Sequence, residues 1–182
     1  MHQEIIISGF GGQGALFAGQ LLAYGALEEG RHVTWIPSYG PEMRGGTANC
    51  TVIISDEEIG SPLVRHPTAA LVMNPPSFER FEPAVKEGGV LVVNASLISN
   101  VSRRDDIRVI AIQANEIGAE LGTPQMANVV MVGAMIGVTG VLKFETLDKV
   151  LEEHISARHR DKIEANKKAL RRGATFADKI VA

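Results

Sequence analysis

Near the start of the chain, Gly9-Phe10-Gly11-Gly12-Gln13-Gly14 follows a run of β-formers, Glu4 to Ser8, and precedes an apolar helical pattern. Gly9, Gly11 and Gly14 fit the spacing G-x-G-x-x-G. Glycines so placed permit a tight strand-to-helix turn and a close ligand approach. The helix behind them offers N–H groups and a positive dipole end to an anion. Gly9, Gly11, Gly12, Gln13 and Gly14 are therefore candidate cofactor-binding residues. A dinucleotide asks for more: an acid at the end of the second strand, about twenty residues on, to hold the ribose. Here that strand reads His32-Val33-Thr34-Trp35-Ile36-Pro37 and the nearest acid, Glu42, lies inside the next loop. No Arg stands at the strand end either. NAD and NADP are disfavoured, while phosphate binding by the turn and a purely structural use of its glycines both stay open.

The following loop, Ser38 to Thr47, concentrates Tyr39, Glu42 and Arg44 among Gly40, Gly45 and Gly46. Loops carrying charge, an aromatic ring and glycines are where binding residues gather. Arg44 can fork onto a carboxylate or phosphate. It can equally pair with Glu42 or meet a partner chain. Tyr39, Glu42 and Arg44 join the candidate list on that footing.

Self-contained chemistry is hard to find elsewhere. No G-x-x-x-x-G-K-[ST] occurs, so phosphoryl transfer on a P-loop is excluded. The five histidines (His2, His32, His66, His154 and His159) show no metal-ligand spacing. No nucleophile–base set is legible. The single cysteine, Cys50, cannot form a disulfide within the chain or hold an iron–sulfur cluster, and it fits a reducing cytosol. On its alternating strand it reads as a small buried hydrophobe. No catalytic residue and no metal ligand is assigned.

The elements that must position these residues follow from periodicity. Glu4–Ser8 reads as a buried strand, 12–29 as a helix ending at Gly30, and His32–Pro37 as a second strand. Ala48–Ser55 is a third strand. The gap before it is too short for a crossover helix, so strands two and three should be antiparallel. Ala69–Met73, Val90–Asn94 and Arg108–Ile112 complete the strands. Asn74-Pro75-Pro76-Ser77 opens a short helix through Glu87, Asn115–Leu121 forms another, and Thr123-Pro124 caps the apolar helix that follows. From about residue 145 the chain turns helical and charged. Leu147, Val150, Leu151 and Ile155 make an apolar stripe, and a solvated amphipathic region with Ile163 and Leu170 is expected on the domain edge or on a partner. The expectation is one α/β domain over 1–182: three layers, Rossmann-like, with a mixed, mostly parallel sheet and helices on both faces.

Composition limits the partners. A net charge of −3 and 5% aromatic residues give no basic or stacking face for nucleic acid. The apolar run Met126–Leu142 falls short of the ~18 residues that span a bilayer, and it contains Asn128 and Thr139. It reads as a buried helix of a soluble protein, in which Gly133 and Gly137 permit close packing and a partner chain supplies part of the cover. With no signal-peptide pattern at the start, a cytoplasmic location is expected.

Four segments carry a resemblance: GFGGQGALFAGQLLA, YGPEMRGGTANCTVIISDEEIGSP, NPPSF and NKKALRRG. Together, over about Glu4 to Gly173, they resemble the gamma subunit of 2-oxoacid:ferredoxin oxidoreductases. The resemblance implies a non-autonomous subunit of a hetero-oligomer with alpha, beta and, in some assemblies, delta subunits. Such complexes decarboxylate a 2-oxoacid oxidatively to an acyl-CoA and pass the electrons to ferredoxin. Thiamine diphosphate and iron–sulfur clusters are then on partner subunits, and coenzyme A is the ligand expected at this chain's surface, near the glycine turn and the 38–47 loop. The loop motif looks most like 2-oxoglutarate-type members, with pyruvate, 2-oxoisovalerate and indolepyruvate as rivals. Self-association of the isolated chain as a homodimer is a further expectation. Two other readings stand beside this one: a stand-alone NAD(P)-binding oxidoreductase, and a non-catalytic assembly module.

Overall fold

The computed structural model describes residues 1–39, 46–154 and 161–181. In chain order the elements are β1 (His2–Phe10), α1 (Ala15–Glu28), β2 (His32–Tyr39), β3 (Thr47–Ser55), β4 (Ala69–Val72), α2 (Pro75–Phe81), β5 (Val90–Asn94), β6 (Arg108–Ile112), α3 (Ala114–Glu120), a 3-10 turn (Pro124–Met126), α4 (Ala127–Thr139), α5 (Phe144–His154) and α6 (Ile163–Val181). The six strands form one sheet in the order β2-β3-β1-β4-β5-β6. β1, β4, β5 and β6 pair in parallel, and β3 runs antiparallel to both of its neighbours. The short connection thus does produce an antiparallel β2–β3 pair. It also places β3 between β1 and β2, the two strands that a plain βαβ unit would set side by side.

Alternation along each strand sorts the core into two faces. Ile5 and Ile7 of β1, Cys50, Val52 and Ile54 of β3, Leu71, Val92 and Ile110 meet α1 and α4 on one side. Ile6, Ala70, Val72, Leu91 and Val93 point the other way, onto Phe78 and Phe81 of α2 and onto Val85, Ile98 and Ile107. Helices therefore lie on both faces, with most of them on the first. α2 stops at Phe81 and not at Glu87 as the sequence suggested. Pro83 has no N–H to continue the helical ladder, and the chain turns there.

The apolar helix α4 is buried from Asn128 to Ile136. Its cover comes from within the chain, which corrects the expectation of a partner. The sheet lies on one side, and on the other α6 makes the most extensive helix–helix contact of the fold. The C-terminal helix is amphipathic, as expected: Ala169, Leu170 and Ala177 are buried on its inner face, while Lys168, Arg172 and Thr175 are exposed on the other. The two backbones meet directly. A Cβ on Gly173 would fall 1.9 Å from the Val130 carbonyl oxygen, and one on Gly133 would fall 2.0 Å from that of Leu170. The outer face of α6 is tied by ion pairs, among them a forked Arg171–Asp148 pair at 2.6 and 3.3 Å. Ile155, expected in the stripe along α5, lies outside the described residues.

Cys50 is fully buried, as its strand pattern implied, with its thiol aimed at the Ala15 carbonyl oxygen 3.4 Å away. Burial, partly opposed by the Trp35 indole beside it, pushes the thiol up from its ordinary 9.0 to about 11.

Two measurements check this packing. Gly→Ala in a helix interior normally gains about 1 kcal/mol. Gly173→Ala should instead lose about 3 kcal/mol in urea unfolding, because α6 must lift off α4. The exposed Thr175→Ala should stay within about 0.5 kcal/mol of wild type. The buried thiol adds a pH dependence. Its contribution is complete below the unfolded value near 9.0 and is lost as pH rises through about 11. Over that window the urea midpoint of wild type should fall more steeply than that of Cys50→Ala.

Candidate ligand-binding site

β1 is followed by α1 on one face of the sheet and β4 by α2 on the other, so the chain reverses its winding between these adjacent parallel strands. Such a switch point opens a crevice at the carboxyl ends of the strands. Here a crevice of about 180 Å³ is lined by Gly12, Gln13, Met73, Asn94, Asn115 and Gln125, among others.

The glycine turn forms one wall. Gly9 is still within β1, paired with Ala48. Gly11 donates its N–H to the Gly46 carbonyl oxygen at 2.9 Å, which ties the turn to the start of β3. Gly12 and Gly14 have φ of 97° and 80°, the left-handed region that side chains other than glycine rarely adopt. Gly14 caps α1 with no side chain over the helix end, and its carbonyl oxygen accepts from Asn128 Nδ2 at 3.1 Å. The first turn of α1 holds no acidic residue.

Gln13 holds the turn in shape. Its Oε1 accepts from the Phe10 N–H at 2.6 Å and from Asn74 Nδ2 at 3.2 Å, while its Nε2 donates to the Met73 carbonyl oxygen at 3.2 Å. Beneath it, Asn74 Oδ1 caps α2 by accepting from the Ser77 N–H, and the Ser8 and Ser77 hydroxyls meet at 2.8 Å.

The opposite wall is a second amide network. Asn94, buried at the end of β5, donates through Nδ2 to Asn115 Oδ1 at 2.8 Å and accepts from the Ser96 N–H at 3.3 Å. Ser96 Oγ accepts from the Asn115 N–H and bonds to the Glu116 carboxylate.

The structure thus gathers Gly9, Gly11, Gly12, Gln13 and Gly14 at one place. Tyr39 closes β2 opposite Ala48, in the same row as Gly9 and two strands away, roughly 10 Å by ordinary strand spacing. Glu42 and Arg44 lie outside the described residues. The neighbour of β1 on that side is the antiparallel β3, so the end of β2 is displaced from where a dinucleotide's ribose-binding acid stands. Both that displacement and the engaged Gly11 N–H weigh against NAD. Sequence reading missed Asn94 and Asn115 as site residues. The signal present was a polar amide ending, or closely following, each of two apolar strands.

Among the described residues, Glu28, Glu153 and His154 are also close enough to share a metal ion. All three are exposed, and the Lys149 ammonium already stands between the two carboxylates, 2.5 and 3.9 Å away. No described helix is long and apolar enough to cross a membrane.

The fold is a Rossmann-like α/β sheet with a glycine turn at its switch point. Residues 4–176 match the family model of pyruvate ferredoxin/flavodoxin oxidoreductases, and the chain belongs to that family. The ketoisovalerate oxidoreductase subunit VorA of Methanothermobacter marburgensis is 41% identical over 97% of this chain, which spans only 37% of that relative's length. The 2-oxoglutarate synthase subunit KorC of Methanocaldococcus jannaschii is 34% identical, with 85% of this chain and 84% of KorC covered. Among solved structures, the gamma subunit of the keto/oxoacid ferredoxin oxidoreductase from Geobacter sulfurreducens PCA superposes with a TM-score of 0.85 at 30% identity, covering 98% of both chains.

Proposed function

We propose that this chain is the gamma component of a cytoplasmic complex that oxidatively decarboxylates a 2-oxoacid to an acyl-CoA and delivers the electrons to ferredoxin. The observation that carries the reading is the end-to-end likeness to the gamma subunit from Geobacter sulfurreducens PCA at 30% identity. Alpha and beta subunits, with delta in some assemblies, are the partners it calls for. Thiamine diphosphate on a partner would supply the carbanion chemistry of decarboxylation, and partner iron–sulfur clusters would carry the electrons.

This chain's share of the work is binding. Its switch-point crevice is lined by Gly12 and Gln13 of the turn that also holds Gly9, Gly11 and Gly14, and coenzyme A is the ligand we infer for that end of the sheet. Tyr39, Glu42 and Arg44 belong to the same proposal through their loop. As to the substrate, the 38–47 loop motif suggests 2-oxoglutarate, and KorC supports it. The higher identity to VorA favours a branched-chain 2-oxoacid, and we rank ketoisovalerate first and 2-oxoglutarate second.

The test is turnover. The isolated chain should reduce no ferredoxin with any 2-oxoacid. The reconstituted complex should do so only with coenzyme A present, and faster with ketoisovalerate than with 2-oxoglutarate or pyruvate. Turnover by the isolated chain would overturn the reading.

A further inference from the structure

We propose that the amide-lined crevice binds a phosphate-type oxyanion through the side-chain N–H groups of Gln13, Asn94 and Asn115. The argument is a count of donors and acceptors. A carboxamide carries a carbonyl oxygen and two N–H bonds. The Gln13 oxygen already accepts twice, from Phe10 and Asn74, and one of its N–H bonds goes to Met73. The Asn94 oxygen accepts from Ser96, and one of its N–H bonds goes to Asn115. The Asn115 oxygen takes that bond, and neither of its own N–H bonds has an acceptor among the described residues. Backbone partners fix which way Gln13 and Asn94 point, and Asn94 then fixes Asn115.

All three oxygens are engaged. What remains is one N–H on Gln13, one on Asn94 and two on Asn115, around a space of about 180 Å³. Asn94 lines the space at the end of β5 and has one N–H left to offer. A neutral ligand that both donates and accepts, such as an amide, finds few acceptors. A group whose oxygens only accept fits throughout. Gly12, which also lines the space, leads into the uncapped head of α1, whose field favours negative charge. The Glu116 carboxylate, next in sequence to Asn115, is held by Ser96 and does not line the crevice.

The inference rests on the proposal that this end of the sheet is the ligand end, and not on 2-oxoacid chemistry. It can therefore fail alone. The probe is pyrophosphate, titrated into the full chain while the side-chain NH₂ signals of Gln13, Asn94 and Asn115 are followed by ¹⁵N NMR. Saturable shifts at these three amides are expected. Asn115→Asp keeps the oxygen that Asn94 needs but replaces both free donors with a carboxylate, and it should weaken binding at least ~10-fold. Gln3→Glu, at the opposite end of β1, adds the same charge and should leave binding within ~2-fold. Absence of shifts in the wild-type chain would overturn the proposal, as would binding indifferent to Asn115→Asp. Acetate binding as tightly as pyrophosphate would overturn the phosphate assignment. Should pyrophosphate fail while the reconstituted complex still requires coenzyme A, the crevice assignment falls and the subunit reading stands.

Discussion

The contact between α4 and α6 sets the frame for the rest of the molecule. α4 has no polar face, so it must be enclosed on every side, and α6 supplies the largest part of the cover, with the sheet, α1 and α3 completing it. Gly133 and Gly173 let the two backbones touch, which brings α6 close enough to exclude water. Once clamped, α4 presents its first turn to the glycine loop: Asn128 holds the Gly14 carbonyl oxygen, and Ala127 lines the crevice. The position of the turn thus depends on a helix contact at the far end of the sequence. That dependence gives the inner face of the last helix a structural task despite the charge after residue 145.

Local signals made much of this visible in the sequence. The strands, the turn and the antiparallel β2–β3 pair follow from periodicity, glycine spacing and connection length, each within a few residues of its cause. The place of β3 between β1 and β2 does not, because pairing Ile5 with Val52 is a long-range choice made by the whole sheet. α6 escaped for another reason. Its inward face is made of Ala169, Leu170, Gly173 and Ala177, small residues that contrast weakly with the charges around them, so the helix reads as solvated. Glycines and the apolar core are chosen by local geometry, and these were legible.

The candidate site divides the same way. The Gly9–Gly14 turn announces itself by spacing. Asn94 ends β5 and Asn115 opens α3 just after β6, and only the assembled sheet brings them opposite Gln13. Read singly, each is a polar residue at a strand end or a helix start, where asparagine is common for structural reasons. Together they line one open space with their side-chain oxygens engaged.

Family membership gives the proposed division of labour its setting: this chain would offer the crevice, and partner subunits the chemistry. The most direct measurement is to recover the tagged chain from its native host under gentle, anaerobic conditions and identify what accompanies it. The account predicts companion chains that carry thiamine diphosphate and iron–sulfur clusters, in fixed ratio to this one. A chain that emerges alone, with no such companions, would contradict it.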